Sequence, residues 1–563
     1  MDFIVKIKLD STYKFKYSFC EEIKKVSVDL NNVYIEKLSH LDYVVDSNDI
    51  RTQIAIGDVI ATDNSSSDLS KTKGIFYLLT FWNNSKGLSI ECDEHSLLPL
   101  YYSKHDDYIL VSSSFIILAS NLAKKTYNSD FYAELAILYS QIDGSTFYKE
   151  IIRLEYGQII DISQDFKVVR KKRFFDSFTK SPQSFNSSIE KISNAFIKTS
   201  KLYFNEPCAI SLTGGFDGRT LTACAHFHHV EFTNFSYGKK GNGDVDNPLM
   251  IAKSLKLSYN LIELDNNYLS NSYQESVNDY LRLSGGFNGF QYPQSQYYVK
   301  KLAGENKIII TGYLGSEILS STKGEDDEVC PKFVLDYLKS GSQNDDIIYT
   351  QENVLLELGL INDRQAVKEV LIKMRNYFLS LPDDLSLNQK FSTFAFENIY
   401  RNTFGTWIYN GMHIAKIRVP FLDHEFFSEI SKTEVSQFYR PFLETNPIKR
   451  LKGQLLYSKI LMKTWPQLNR ITSSKGYAPA DILTFYGRIK IALGRILKNN
   501  KYKEHHGLDK MSTNSGAIQY FEKENFDKAL FNKEEIRILL QKNSISRSIC
   551  FLSLSKTEFQ KML

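Results

Sequence analysis

The sequence predicts a two-part α/β chain: a β-rich α+β first part, then a larger part built on a parallel sheet. Three observations predict it. Short runs such as IFYLLTFW (75–82), YILVSSSFIILAS (108–120) and YGQIIDIS (156–163) are rich in Ile, Val, Tyr and Phe and are bounded by Asn, Asp, Ser and Gly, the pattern of half-buried strands. After position 205, strand-length apolar runs alternate with helix-length segments, the order that gives a parallel sheet covered on both faces. At 563 residues the chain is also too long for one ordinary core, so two large domains are expected.

Taken in order, residues 1–175 form the predicted β-rich domain. TKSPQSFNSS (179–188) reads as a polar linker, and SIEKISNAFIKTSKLYF (188–204) as a helix entering the second domain, 185–563. CAISL (208–212), VEFTNFSYG (230–238), YNLIELD (259–265) and KIIITGY (307–313) are its strand candidates. The chain beyond them has few Gly or Pro and reads as largely helical.

Composition excludes several classes. A net charge of +4 does not suit a general nucleic-acid binder. Cys20, Cys92, Cys208, Cys224, Cys330 and Cys550 contain no CxxC pair, which implies reduced thiols and no metal-ligand spacing. MDFIVKIKLD alternates like a strand and lacks a secretory signal. No apolar run is long enough to span a bilayer. A soluble cytoplasmic protein without membrane partners is expected.

The most informative stretch is Ala209-Ile-Ser-Leu-Thr-Gly-Gly-Phe-Asp-Gly-Arg-Thr220. Adjacent glycines at 214 and 215 let backbone N–H groups wrap an anion, and the helix start adds its positive dipole end. Asp217 within the turn predicts Mg²⁺, since a carboxylate beside a phosphate is repulsive without a divalent cation. The spacing is neither GxGxxG nor GxxxxGK[ST]. The competing reading is a plain tight turn with Asp217 as a helix cap.

This stretch resembles the SGGxDS pyrophosphate loop of the asparagine synthetase-like N-type ATP pyrophosphatases, with Thr213 for the first Ser and Gly218 for the last. Arg418-Val-Pro-Phe-Leu-Asp-His424 resembles the family's RVPFLD segment, and Ser474-Lys475-Gly476-Tyr477 its KxGF-type segment. Ile310-Thr-Gly-Tyr-Leu-Gly-Ser-Glu317 resembles its G-x-x-G-D-E turn. Leu98-Pro-Leu-Tyr-Tyr102, Ile109-Leu-Val-Ser-Ser and Ile152-Arg-Leu-Glu-Tyr-Gly157 are similar to parts of its glutaminase domain. The resemblance covers roughly 70 to 480. It implies an Ntn-type glutaminase-like domain followed by an ATP-pyrophosphatase (asparagine synthase) domain.

One departure bears on function. Family glutaminases carry a cysteine directly after the initiator Met, and its freed amino group activates its own thiol. Asp2 stands there in this chain, so the first domain is expected to be degenerate and unable to draw ammonia from glutamine.

The resemblance also implies roles. ATP is expected at Ser211, Leu212, Thr213, Gly214, Gly215, Asp217, Gly218, Gly238 and Gly312, and Mg²⁺ at Asp217 and Glu317. Ser316 stands where the family has its second Asp, so either Glu317 takes over as the ligand, which is the expectation, or water bridges Ser316 to the metal, or the metal site is degraded. Lys475 is expected to face the leaving pyrophosphate. Tyr313 with Glu397 is expected to form an amine-deprotonating dyad of the β-lactam synthetase kind. Arg418 and Asp423 are expected to hold the PFLD turn together; the roles of Asp244 and Asp246 stay open.

Basic runs at 170–173 and 490–503 read as solvated faces, with docking of an acidic peptide as the other reading. The implied activity is an AMP-forming amide ligase, similar to lasso-peptide cyclases and β-lactam synthetases. A precursor peptide and a companion maturation protein are its candidate partners. The alternatives are asparagine synthetase-like amidation with free ammonia and an inactive scaffold.

Overall fold

The computed structural model describes residues 2–8, 33–37, 43–60, 68–82, 87–162, 166–287, 289–305, 307–320, 330–341, 346–347, 350, 364–444, 446–473, 476–497, 516–517, 554–556 and 558–563. The chain is mixed α/β, and its described residues form two antiparallel sheets and one parallel sheet.

The antiparallel sheets come from the first 170 residues: β1 (Phe3–Lys8), β2 (Val33–Lys37), β3 (Tyr43–Ser47), β4 (Arg51–Ile60), β5 (Lys73–Trp82), β6 (Gly87–Glu91), β7 (Tyr101–Lys104), β8 (Tyr108–Ser112), β9 (Ile152–Arg153), β10 (Gln158–Ile162) and β11 (Phe166–Arg170). One sheet runs β2-β1-β8-β7-β9 and the other β11-β10-β6-β5-β4-β3. Alternation places Phe3, Val5 and Ile7 of β1 in one buried cluster with Ile54, Ile56, Tyr77 and Leu79 of the other sheet. The Phe3 and Tyr77 rings meet edge to face at 5.0 Å. Ile4 and Leu110 point the opposite way, against Phe115, Leu118 and Phe131 of the covering helices Phe115–Asn121 and Ser129–Leu138.

The run 108–120, expected as strand, divides at its serines. β8 stops at Ser112, and a helix starts at Phe115. Ser112 Oγ donates to the Phe3 carbonyl at 2.6 Å and Ser113 Oγ accepts from the Phe3 amide at 3.0 Å. Those side-chain bonds compete with continued pairing and turn the chain. The expected linker is shorter than its polar composition implied. Gln183 bridges to Thr433, and a helix capped by Ser184 begins at Phe185.

The parallel sheet comprises β12 (Cys208–Ser211), β13 (Phe232–Gly238), β14 (Tyr259–Glu263), β15 (Ile308–Ile310) and β16 (Lys416–Arg418), in the order β14-β13-β12-β15-β16. Its central residues Cys208, Ala209, Ile210 and Ile308 are fully buried, as strands covered on both faces must be. Because β12 and β15 are neighbours, with Ile210 opposite Ile310, the turns that follow them lie side by side. Open parallel sheets bind ligands beyond these carboxyl ends.

A single buried cluster contains residues from both halves of the chain. The helix Arg401–Met412 lies directly on the first half: a Cβ at Gly405 would fall 2.4 Å from the Leu97 carbonyl oxygen. From the same helix the Arg401 guanidinium donates to the carbonyls of Ser96 and Leu154. Among the described residues no helix is long and apolar enough to cross a membrane.

Candidate functional site

The turn 213–216 leads from β12 into the helix Asp217–Phe227. Its amides are engaged locally: Gly214 N–H donates to Asp244 Oδ1 at 3.0 Å, and Gly215 N–H to Thr213 Oγ1 at 3.3 Å. The Asp244 carboxylate thus sits where an anion would be cradled, at the start of the helix Gly243–Leu255. Asp246 instead accepts from Gly241 N–H at 3.1 Å.

Gly218 has a steric cause. A Cβ there would lie 2.2 Å from the Ser211 carbonyl oxygen and 3.1 Å from Leu212 Cα. The helix therefore approaches its own strand at a distance that a serine cannot occupy without backbone movement. Ser211 and Leu212 form the other side of that contact, and the Leu212 amide remains in the sheet, donating to Phe235 O at 2.8 Å.

Asp217 reaches across to the neighbouring turn. Its Oδ2 accepts from Ser316 Oγ at 3.1 Å and its Oδ1 from the Tyr457 hydroxyl. Ideal Cβ atoms would lie 2.7 Å from Asp217 Cβ at Gly312 and 2.4 Å from Asp217 Oδ1 at Gly315. Both glycines therefore make room for this carboxylate, which a capping role alone would not require.

Glu317 lies in the same turn. Burial, and then the charge of Asp217, push its carboxyl up to about 7. With the half-buried Asp217 carboxylate beside it, Glu317 completes a pair of oxygen donors of the kind a hard divalent cation takes. Ser316 adds a hydroxyl. Two carboxylates and one hydroxyl are the donors offered for Mg²⁺; among the described residues no group of three or more His, Cys, Asp or Glu could hold a metal ion.

Lys475 and Ser474 lie outside the described residues. Their neighbours are anchored beside the glycine turn. Ser473 N–H donates to Tyr477 O at 2.9 Å, and the Tyr477 ring meets Phe216 edge to face at 6.0 Å. Arg219, fully buried on the helix after the turn, donates to the carbonyls of Ile471 (2.7 Å) and Thr472 (3.1 Å). Asn247 Nδ2 also donates to Thr472 O, at 3.0 Å. Sequence reading missed Arg219, Tyr457 and Asn247; each is a helical side chain whose partner is far away in the chain.

Gly238 ends β13 with φ +143°, a conformation closed to most L side chains, and its carbonyl accepts from Leu264 N–H at 3.0 Å.

Tyr313 and Glu397 are not brought together. The Tyr313 hydroxyl bonds Tyr298 at 2.7 Å, and burial followed by its tyrosine neighbours holds its pKa well above the ordinary phenol value. Glu397 accepts from Arg173 Nε at 2.9 and 3.0 Å, from Phe174 N–H at 2.7 Å and from Tyr377 OH at 2.7 Å. It projects from a π-helical stretch, Ala395–Tyr400, and ties the end of the first half to the helical region. A phenol without a carboxylate partner is a poor base near neutrality, so the expected dyad is corrected to two separate structural contacts.

Arg418 and Asp423 do more than hold a turn. Arg418 bonds Asp58 of β4, and Asp423 Oδ2 accepts from Lys73 Nζ of β5 at 2.8 Å. Asp2 also docks the halves: its Oδ1 meets His413 Nε2 at 2.8 Å and accepts from Tyr409 OH at 2.6 Å. Against the cost of burial, His413 and the Tyr409 hydroxyl hold its carboxyl well below the usual range. A cavity of about 730 Å³ lies between β5, β6 and residues 419–425, lined by Lys73, Glu91, Lys172 and His424, away from the glycine turn.

No family model and no curated protein matches the sequence. Among solved structures, the chain is similar to glutamine phosphoribosylpyrophosphate (PRPP) amidotransferase from B. subtilis, solved with ADP and GMP, at 9% identity and a TM-score of 0.16. The match covers 43% of this chain and spans about half, 54%, of that one. A likeness at this score carries no argument about function.

Proposed function

We propose that this chain is an ATP-dependent amide ligase that adenylates a carboxylate and passes the acyl group to an amine, releasing AMP and pyrophosphate. The observation that supports it is the convergence of the glycine turn, Asp217, Ser316 and Glu317 at the ends of adjacent strands β12 and β15. In this reading ATP is the cosubstrate, held by residues 213–218 with Gly238 and Gly312. Asp217 and Glu317 hold Mg²⁺, which supplies charge neutralisation for the pyrophosphate. Lys475 adds a second positive charge.

The chain's own residues do the positioning. Arg219 and Asn247 hold the carbonyls of Ile471 and Thr472, just ahead of Lys475 in the chain. Asp244 must release the Gly214 amide before a phosphate oxygen takes it, so nucleotide binding exchanges one anion for another at that N–H.

The proposal includes a degenerate Ntn-type glutaminase-like first domain. Asp2, bonded to His413 and Tyr409, acts there as a docking residue and supplies no thiol nucleophile. A peptide macrolactam or another natural-product amide is the product class, with a precursor peptide and a companion protein as partners.

The test is stoichiometric. Purified protein is given ATP, Mg²⁺ and a panel of carboxylic acids with amines, and the nucleotide products are separated. AMP and pyrophosphate in equal amounts, dependent on the acid, support the ligase. Formation of ADP and phosphate contradicts it; absence of turnover with every acid supports the scaffold reading, and product from aspartate and ammonia alone supports the asparagine synthetase-like one.

A further inference from the structure

The residue after Gly312 opens onto a run of aromatic side chains. Tyr313 bonds Tyr298 and lies 5.4 Å, ring to ring, from both Phe404 and Trp407. Tyr298 stacks on Tyr237 of β13 at 4.5 Å and 9°. Trp407 meets Tyr292 edge to face at 5.0 Å. Tyr298 is buried, whereas Tyr237, Tyr292, Tyr313, Phe404 and Trp407 are each only half-buried. They form one continuous, partly exposed aromatic surface drawn from β13, the start of the helix Gln294–Ala303, the turn after β15 and the helix Arg401–Met412.

Two features make this surface more than ordinary core edge. It begins one residue from Gly312, whose backbone packs against Asp217, so it borders the acidic pair directly. Among the described residues, the ring contacts and hydrogen bonds of Tyr298, Tyr313, Phe404 and Trp407 involve no charged side chain. The polar groups offered there are hydroxyls and the Trp407 indole N–H, with the Tyr298–Tyr313 pair at the centre.

We infer that this aromatic wall is the acyl-substrate pocket, and that it takes a carboxylic acid flanked by a bulky uncharged group, aromatic or branched aliphatic, in preference to a free amino acid. The inference rests on the ligase reading and names its substrate class. Aromatic faces gain area and offset or edge-to-face contacts from such a group. A free aspartate would bring a second carboxylate against rings that, among the described residues, offer it no cationic partner, and burying unpaired charge is strongly unfavourable. Trp407 and Phe404 are positioned as specificity-determining residues, and Tyr298 and Tyr313 as a single hydroxyl pair able to orient one polar atom of the substrate.

The experiment has two independent readouts on the full chain. ATP–pyrophosphate exchange is measured with N-benzyloxycarbonyl-aspartate and with free aspartate. Separately, tryptophan emission is titrated with N-benzyloxycarbonyl-aspartate in the absence of ATP, in wild type and in Trp407→Phe, with circular dichroism confirming that the variant is folded. Expected are exchange at least 10-fold faster with the aromatic acid, and a quench that Trp407→Phe abolishes. Exchange with free aspartate at an equal or greater rate overturns the inference while leaving the ligase intact. A Trp407-dependent quench without exchange for either acid overturns the acyl-substrate role and leaves the wall as a binding surface for the aromatic acid alone. Loss of both signals overturns both.

Discussion

Arg418 and Asp58 form a fully buried ion pair between residues 360 positions apart, with Nε–Oδ2 at 2.7 Å and an Nη2–Oδ1 bond at 3.1 Å. Arg418 Nη1 donates in addition to Tyr203 O at 2.9 Å and to Asn205 Oδ1 at 2.5 Å. One guanidinium therefore joins β16, β4 and the segment entering the parallel sheet. Removing one partner leaves the other charge buried and unpaired, which costs about 3–5 kcal/mol. Asp58→Ala is expected to lower unfolding stability by that amount in denaturant titration. The double change Asp58→Leu/Arg418→Met should recover much of the loss. A single variant within about 0.5 kcal/mol of wild type, the scale of an inert surface substitution, would contradict this account.

Gly218→Ser tests the steric explanation of the glycine turn. A serine restores the residue the family pattern carries, yet its Cβ would sit 2.2 Å from the Ser211 carbonyl. The expected outcome is overpacking that costs about 1–3 kcal/mol, read as a lower melting temperature, with no gain in nucleotide affinity. Tighter nucleotide binding at unchanged stability would show that the missing hydroxyl, and not the backbone approach, sets this position.

Glu397→Gln separates a structural from a basic role. The substitution removes the charge that Arg173 meets at 2.8 Å and should destabilise by about 3 kcal/mol, as for other broken buried pairs. The pH profile of turnover should keep its shape. A stable variant whose kcat collapses and whose profile loses a limb would reinstate Glu397 as the base.

Glu134 supplies a pH dependence. Burial and then the charge of Asp143, offset by Lys373 at 2.7 Å, push its carboxyl from 4.5 up to about 7. The folded state thus holds more protons than the unfolded one between those values, so stability falls as pH rises from 4.5 through 7. Glu134→Gln removes this slope while Lys373 keeps Asp143 at 2.8 Å. The variant should match wild type near pH 4.5 and exceed it above pH 7 by up to about 3 kcal/mol, since each tenfold change in proton affinity is worth about 1.4 kcal/mol. Parallel stability–pH curves for the two proteins would exclude Glu134 as the source.

The parts of the fold that are legible in the sequence are those with local causes. Period-two apolar runs reveal β5 and β10, and the strand–glycine–helix order from Cys208 to Phe227 locates β12 and its turn. Strand order is not local: nothing near Ile210 says that its neighbours are Ile310 and Asn234. The same limit explains the site. Asp217 is readable because a carboxylate inside a glycine turn is unusual. Its hydroxyl partners Ser316 and Tyr457 stand 99 and 240 positions away. Glu397 misled for the mirror reason: its helical setting is visible, whereas Arg173, 224 positions earlier, is not.

The central claim is that Asp217 and Glu317 bind a magnesium–nucleotide complex beside the glycine turn. Calorimetric titration of ATP into the full chain, with Mg²⁺ and then with EDTA, tests it most directly, with Asp217→Asn as the comparison. Binding that requires Mg²⁺ and weakens at least 10-fold in Asp217→Asn, about 1.4 kcal/mol, is the predicted result. Equal affinity with and without Mg²⁺, or an Asp217→Asn variant that binds as wild type does, would contradict it.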